Sequence, residues 1–259
     1  MAGPNPDKIV DMTADPLASR LDYLRVERAL AGNLPVNELN SEERDFCENY
    51  QPAFEIGRMA GRMAQGYYAH KAAIEVAKDP RADGFIPAEL RVGQAVPVGD
   101  VMRKDGSGHV YDFRYYLAYA RTNSEMARDL DRVWIVGSLV AVGDALEKRD
   151  YLTRAPLFEL LRHLRNGVAH GNAFNIENPD KLKKFPAHNR QARVKTTEFE
   201  ITSDLDGQPV LFDYMRAGDA LDLLMSIEVY LTRIRERRQS GELHDLVDAV
   251  TRPAKRRRR

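Results

Sequence analysis

Leu161-Arg162-His163-Leu164-Arg165-Asn166-Gly167-Val168-Ala169-His170-Gly171-Asn172-Ala173-Phe174 is the stretch on which the fold of this chain turns. Just upstream, Pro156 suits a first helical position, and Leu157, Leu160, Leu161, Leu164 and Val168 recur at the spacing of one helical face. Gly171 is placed to end that helix. The pattern predicts a buried helix with an Arg-Asn-x-x-x-His set in its last turns. With Leu164 at the centre of the apolar stripe, Arg165 lies about 100° around the helix, Asn166 about 200° and His170 about 240°. All three point away from the core. Arg165 and His170 diverge by about 140°, so one straight helix does not aim both at the same atom.

Working outward, Asn123 to Lys148 reads as a preceding helix, and its segment Val133 to Val142 is apolar nearly all round, the pattern of a buried central helix. Asp15-Pro16 signals a helix over Leu17 to Ala31 that stops at Gly32. Asn40-Ser41-Glu42-Glu43 signals another, broken or kinked at Pro52. Gly57 and Gly61 on that helix have the spacing that lets a second helix approach closely. Asp79 to His109 is rich in Gly and Pro without periodicity, and reads as a long irregular surface insertion. Tyr111, Phe113, Tyr115, Tyr116 and Tyr119 could stack bases, but Tyr111, Tyr115 and Tyr119 at i, i+4, i+8 favour a core role. Beyond the motif, Thr196 to Thr202 and Pro209 to Phe212 alternate around Asp204 to Gly207 as a β-hairpin. Ala217 to Arg238 reads as the last long helix. The expected fold is mainly α: a helical bundle with a small hairpin between its last two core helices.

The chain has 259 residues, 43 % of them hydrophobic, enough for a sizeable core. Lys plus Arg and Asp plus Glu both number 39, so any nucleic-acid surface must be local. The single cysteine, Cys47, excludes an intramolecular disulfide or a cysteine zinc site and fits a reducing cytoplasm. Met1 to Met12 lacks the basic and apolar regions of a secretory signal. Val133 to Val142 is well short of the roughly 18 residues expected of a spanning helix, so no membrane partner is expected. No phosphate-binding Gly-rich loop, nucleophile elbow or zinc motif is present.

An Arg, an Asn and a His together suit phosphodiester cleavage without a metal. His170 can accept or donate a proton near neutral pH, and Arg165 can stabilise charge on phosphoryl oxygens. Asn166 can orient either the His or a phosphate. If the 2′-hydroxyl of RNA is the nucleophile, neither activated water nor a cofactor is required. Because the two charged groups diverge, the site is expected to be composite, built from two motif helices in isologous contact across a homodimer two-fold. His163 lies near the azimuth of His170 but about two turns earlier, too far for a zinc pair, and reads as a surface or interface residue. Lys181 to Thr197 carries Lys181, Lys183, Lys184, Arg190, Arg193 and Lys195 with no acid. It reads as a candidate RNA-backbone surface or as a solvated loop.

The string Leu164-Arg165-Asn166-Gly167-Val168-Ala169-His170-Gly171 resembles the Arg-x4-6-His signature of the HEPN superfamily in its Arg-Asn-x-x-x-His form. The resemblance implies a usually dimeric helical bundle, in many members a metal-independent endoribonuclease of toxin-antitoxin, antiviral or RNA-processing systems. It is similar in particular to a plasmid-borne bacterial branch whose motif helix is followed by a strand hairpin and a helix. By this resemblance Arg165 and His170 form the catalytic pair and Asn166 assists, with RNA as substrate and an antitoxin or regulatory protein as a possible partner. The alternative is a non-catalytic module that binds RNA, a nucleotide or a protein in the same groove. The expected organisation is an N-terminal helical segment over 1–40, a helical domain over 41–240 with the insertion at 79–110, and a basic tail over 241–259. The terminal run Lys255 to Arg259 suits either non-specific RNA binding or a localisation signal.

Overall fold

The computed structural model describes residues 21–85, 98–194 and 197–234. Among these are seven α-helices and one two-stranded antiparallel sheet, a mainly α architecture. None of the helices is long and apolar enough to cross a membrane.

Helix α1 (Tyr23–Leu30) begins where the Asp22 carboxylate accepts from the backbone N–H groups of Leu24 and Arg25, and the chain leaves it through Gly32 at φ +76°. The proposed start at Asp15-Pro16 lies outside the described residues. Helix α2 (Ser41–Lys78) is capped reciprocally, Asn40 accepting from the Glu43 N–H and Glu43 from that of Asn40. It runs unbroken through Pro52, so the break that was one of the two expectations there does not occur. Proline removes one helical hydrogen bond, but Tyr50, Ala53, Phe54 and Ile56 around it are buried, and that packing holds the helix together. Gly57 and Gly61 are where α7 (Ala217–Thr232) crosses: a Cβ on Gly57 would stand 2.8 Å from that of Leu231, and one on Gly61 would collide with Glu228.

The insertion is more regular than its composition suggested. Strands β1 (Val98–Met102) and β2 (Gly108–Asp112) pair antiparallel around Asp105 and Gly106, with Gly106 at φ +83°. The hairpin expected between the last two core helices is not formed among the described residues, which instead carry isolated bridges between Ala173 and Pro209, His188 and Glu200, and Leu211 and Met215. The backbone there bonds to asparagine side chains. Asn189 donates to the Thr197 carbonyl and accepts from the Phe199 N–H, while Asn172 does the same for the carbonyl and N–H of Leu211. Phe199, Ile201, Val210 and Leu211 are then buried one by one rather than through a ladder.

Helix α3 (Phe113–Thr122) overturns the core reading of the tyrosines, because Tyr115, Tyr116 and Tyr119 are all exposed. They pack on one another, Tyr115 and Tyr119 stacked with ring centroids 6.3 Å apart. The helical spacing was real but marked a face that the other described residues do not cover. Helix α4 (Ser124–Glu147) likewise buries only half its circumference. Ile135, Ser138, Leu139, Val142 and Leu146 face the core, whereas Leu130 and Val133 face outward, Val133 at 67 % exposure.

Candidate functional site

The motif helix α5 spans Pro156–Ala169, with proline in its first turn and Gly171 at φ +93° just beyond the end. Leu157, Leu160, Leu161 and Leu164 are buried as the pattern required. It runs antiparallel to α4. Arg165 lies against Gly143, and Phe212, next to the Leu211 that Asn172 holds, meets Arg132 with 5.7 Å from guanidinium to ring centre.

Arg165 is turned toward α4. Its Nε donates to Asp144 Oδ1 at 2.7 Å, its Nη2 pairs with the same carboxylate and with Glu147 at 3.3 Å, and its Nη1 donates to Asn166 Oδ1 at 3.0 Å. Gly143 makes this possible, because a Cβ there would stand 2.6 Å from Arg165 Cγ. The hydrogen bond it donates to Asp144 raises the guanidinium above even its ordinary range, with burial opposing and Glu147 adding to the effect. Asn166 thus orients the arginine. His170 occupies the C-cap, its backbone N–H bonded to the Asn166 and Gly167 carbonyls and its ring exposed.

Neither carboxylate was anticipated from the sequence; Asp144 and Glu147 stand 21 and 18 positions from Arg165 and belong to another helix. The only hint was that both interrupt the end of an apolar run.

A second ionic group lies at the other end of α5. Glu159 is fully buried, yet it accepts from Arg154 Nη1 at 3.1 Å and from Arg162 Nε at 2.6 Å. Arg162 Nη2 stands 3.0 Å from His163 Nε2. His163 is partly buried, and that burial, with Arg162 beside it, pushes its pKa down to about 4. Tyr151 sits between the two groups, its phenol pushed up to about 12 by burial, against the pull of Arg165. The α4–α5 connection that carries it holds Asp150, Tyr151, Leu152 and Arg154 at φ of 50° to 52°, left-handed values that cost about 1 kcal/mol per residue. Burial of Tyr151 and Leu152 and the bonds of Arg154 to Asp150 and Glu159 hold that shape.

The basic segment does not join the motif residues. Lys181, Lys183 and Lys184 lie exposed on the short helix α6 (Pro179–Lys184), where Lys183 pairs with Asp180 at 3.0 Å and Lys184 lies over the Phe185 ring. Arg190 pairs with Glu200, Arg193 is exposed, and Lys195 lies outside the described residues. Phe185 packs under Arg154, and the His188 N–H donates to the Pro156 carbonyl, which fixes this segment at the N-terminal end of α5. His170 is at the other end, about 20 Å away by helical rise.

No protein-family model, curated protein or solved structure matches this chain.

Proposed function

We propose that this chain is a metal-independent endoribonuclease of the HEPN type, cleaving RNA by attack of the 2′-hydroxyl at a site shared by two copies, in bacterial defence or stress response. The carrying observation is the arrangement on α5: Arg165 aligned by Asp144, Glu147 and Asn166, and an exposed His170 at the end of the same helix. An arginine held in this way is pre-set in orientation, and its partly exposed head can exchange a carboxylate for a phosphoryl oxygen. His170 transfers the proton of the attacking hydroxyl or of the leaving oxygen. The basic face at the far end of α5 is placed to hold the RNA backbone away from the scissile bond.

The carboxylates also support a second reading. Two acids on one arginine leave the group net negative, which weakens it as a stabiliser of phosphoryl charge and leaves as the alternative a non-catalytic module that binds RNA, a nucleotide or a protein. Incubation of wild type and His170→Ala with end-labelled single-stranded RNA in chelator separates the two. Cleavage by wild type alone, leaving 2′,3′-cyclic phosphate ends, is the expected result. RNA retention without cleavage by either protein transfers the conclusion to the binding module.

A further inference from the structure

Phe212 is held at a backbone angle that its side chain disfavours. It sits at φ +77°, in the left-handed region where a bulky residue is rare, and 40 % of it is exposed. Its neighbours are tied down around it. Leu211 and Met215 are buried, the Phe212 N–H donates to the Met215 carbonyl at 2.8 Å, and the Met215 N–H donates to the Val210 carbonyl at 3.1 Å. Tyr214 is anchored inward, its ring centroid 5.1 Å from that of Phe174 and its hydroxyl donating to the Glu200 carbonyl. Asn172 clasps Leu211 through both its N–H and its carbonyl. The loop is therefore fixed on both sides of Phe212 while the ring itself faces outward, and strain maintained in this way is characteristic of binding surfaces.

Arg132 lies over that ring, and among the described residues it forms no ion pair, unlike Arg154, Arg162 and Arg165. Helical geometry places it relative to the motif. Arg132 and Gly143 fall within about 20° of one line on α4 and about 16 Å apart along it, so Arg132 faces the side on which Arg165 packs against Gly143. His170, about 8 Å beyond Arg165 along the antiparallel α5, lies between the two levels. The Val210 N–H donates to the Asn172 carbonyl at 3.0 Å, which sets the Phe212 loop against the end of the same helix. Arg165, His170 and Phe212 thus succeed one another along the axis of the α4–α5 pair.

We infer that Phe212 and Arg132 form a stacking subsite for one unpaired nucleobase of a bound RNA strand; that the ligand is a strand rests on the function proposed above. An aromatic face attracts the flat face of any base, and a guanidinium can stack on the base's other side or move to the adjoining phosphate. Asp213, next in the chain to Phe212, and Asp129, one turn before Arg132, are both exposed and offset the charge of Arg132. That balance suits a base rather than a phosphate, and the Asp213 carboxylate can accept from a base amino group. In a duplex the base faces are already stacked on one another, so the subsite selects single strands. Holding one base a few nucleotides from His170 sets the register in which the rest of the strand reaches Arg165 and His170.

Fluorescence titration of the full chain carrying His170→Ala, which keeps RNA intact, with a single-stranded RNA bearing 2-aminopurine tests this. Binding is expected to quench the fluorescent base. Phe212→Gly, which the left-handed backbone accepts, should abolish the quenching and weaken affinity by about tenfold, the order of one stacked base. Phe212→Leu, which keeps the apolar bulk without the flat ring, should do the same, whereas Phe212→Trp should retain both. Arg132→Gln should weaken binding less. Absence of quenching in the parent, quenching that survives both Phe212→Gly and Phe212→Leu, or equal affinity for the same sequence as a duplex would each overturn the inference. So would 2-aminopurine riboside monophosphate bound as tightly as the strand, which would assign the ring to a free nucleotide. Quenching that depends on Phe212, with no cleavage by wild type, keeps the subsite and counts against the ribonuclease. Cleavage by wild type and by Phe212→Gly at the same bonds and rate does the reverse.

Discussion

The two ends of α5 carry inverted versions of the same ionic group. Near its N-terminus one carboxylate, Glu159, lies between two guanidiniums; near its C-terminus one guanidinium, Arg165, lies between two carboxylates. Burial separates them. Glu159 is fully enclosed, whereas Arg165 keeps 20 % of its side chain exposed and its partners Asp144 and Glu147 keep 45 % and 37 %. A closed ionic group is structural, because no ligand can replace its partners. An open one can exchange a protein carboxylate for another anion at little cost, which is the property a binding or catalytic arginine requires.

The contrast predicts unequal penalties. Glu159→Ala should be the most damaging, lowering unfolding free energy by about 3 kcal/mol in denaturant titration, since it leaves two part-buried guanidiniums without their shared acid. A loss below about 0.5 kcal/mol would erase the distinction. Gly143→Val should cost about 2 kcal/mol by overpacking against Arg165. If the open group is the functional one, this variant should also lose RNA cleavage or binding in step with Arg165→Ala; unchanged activity would detach Gly143 from the site.

Acid titration addresses the closed end. The pKa of His163 falls from 6.5 to about 4 on folding, so the folded state binds its proton less readily than the unfolded chain. Its contribution is fully present above pH 6.5 and is lost as pH falls toward 4, by about 2 kcal/mol after allowing for partial exposure. His163→Gln should flatten that part of the stability profile, and an unchanged slope would place the acid sensitivity elsewhere. The smallest effect is expected at the open end, where Asp144→Asn should change stability by less than about 1 kcal/mol. It should nonetheless alter phosphate or RNA affinity, and isothermal titration with a short oligonucleotide would show whether releasing Arg165 strengthens or abolishes binding.

Features governed by a few adjacent residues were legible in the sequence. The proline start and glycine end of α5, the Asn40–Glu43 cap of α2, the limits of α4 and the close approach at Gly57 and Gly61 all follow from spacing. Asp105-Gly106 announced a hairpin that the surrounding glycines and prolines obscured. The strands expected after the motif failed because Asn172 and Asn189 satisfy backbone groups that a ladder would otherwise claim. For Tyr115, Tyr119 and Val133, periodicity marked an apolar face that was read as buried, whereas among the described residues it is exposed.

The sequence by itself therefore determined where α4 and α5 begin and end, which stripe of α5 is buried, and which three polar residues crowd its last turns, because these depend on neighbours within about one helical turn. Only the tertiary structure decided what Arg165 holds. Its acids come from the preceding helix, folded back beside it by a left-handed connection, with a glycine clearing the space between. Such contacts join residues far apart in sequence, and whether the resulting ionic group is closed or open depends on burial, which side-chain periodicity along one helix does not encode.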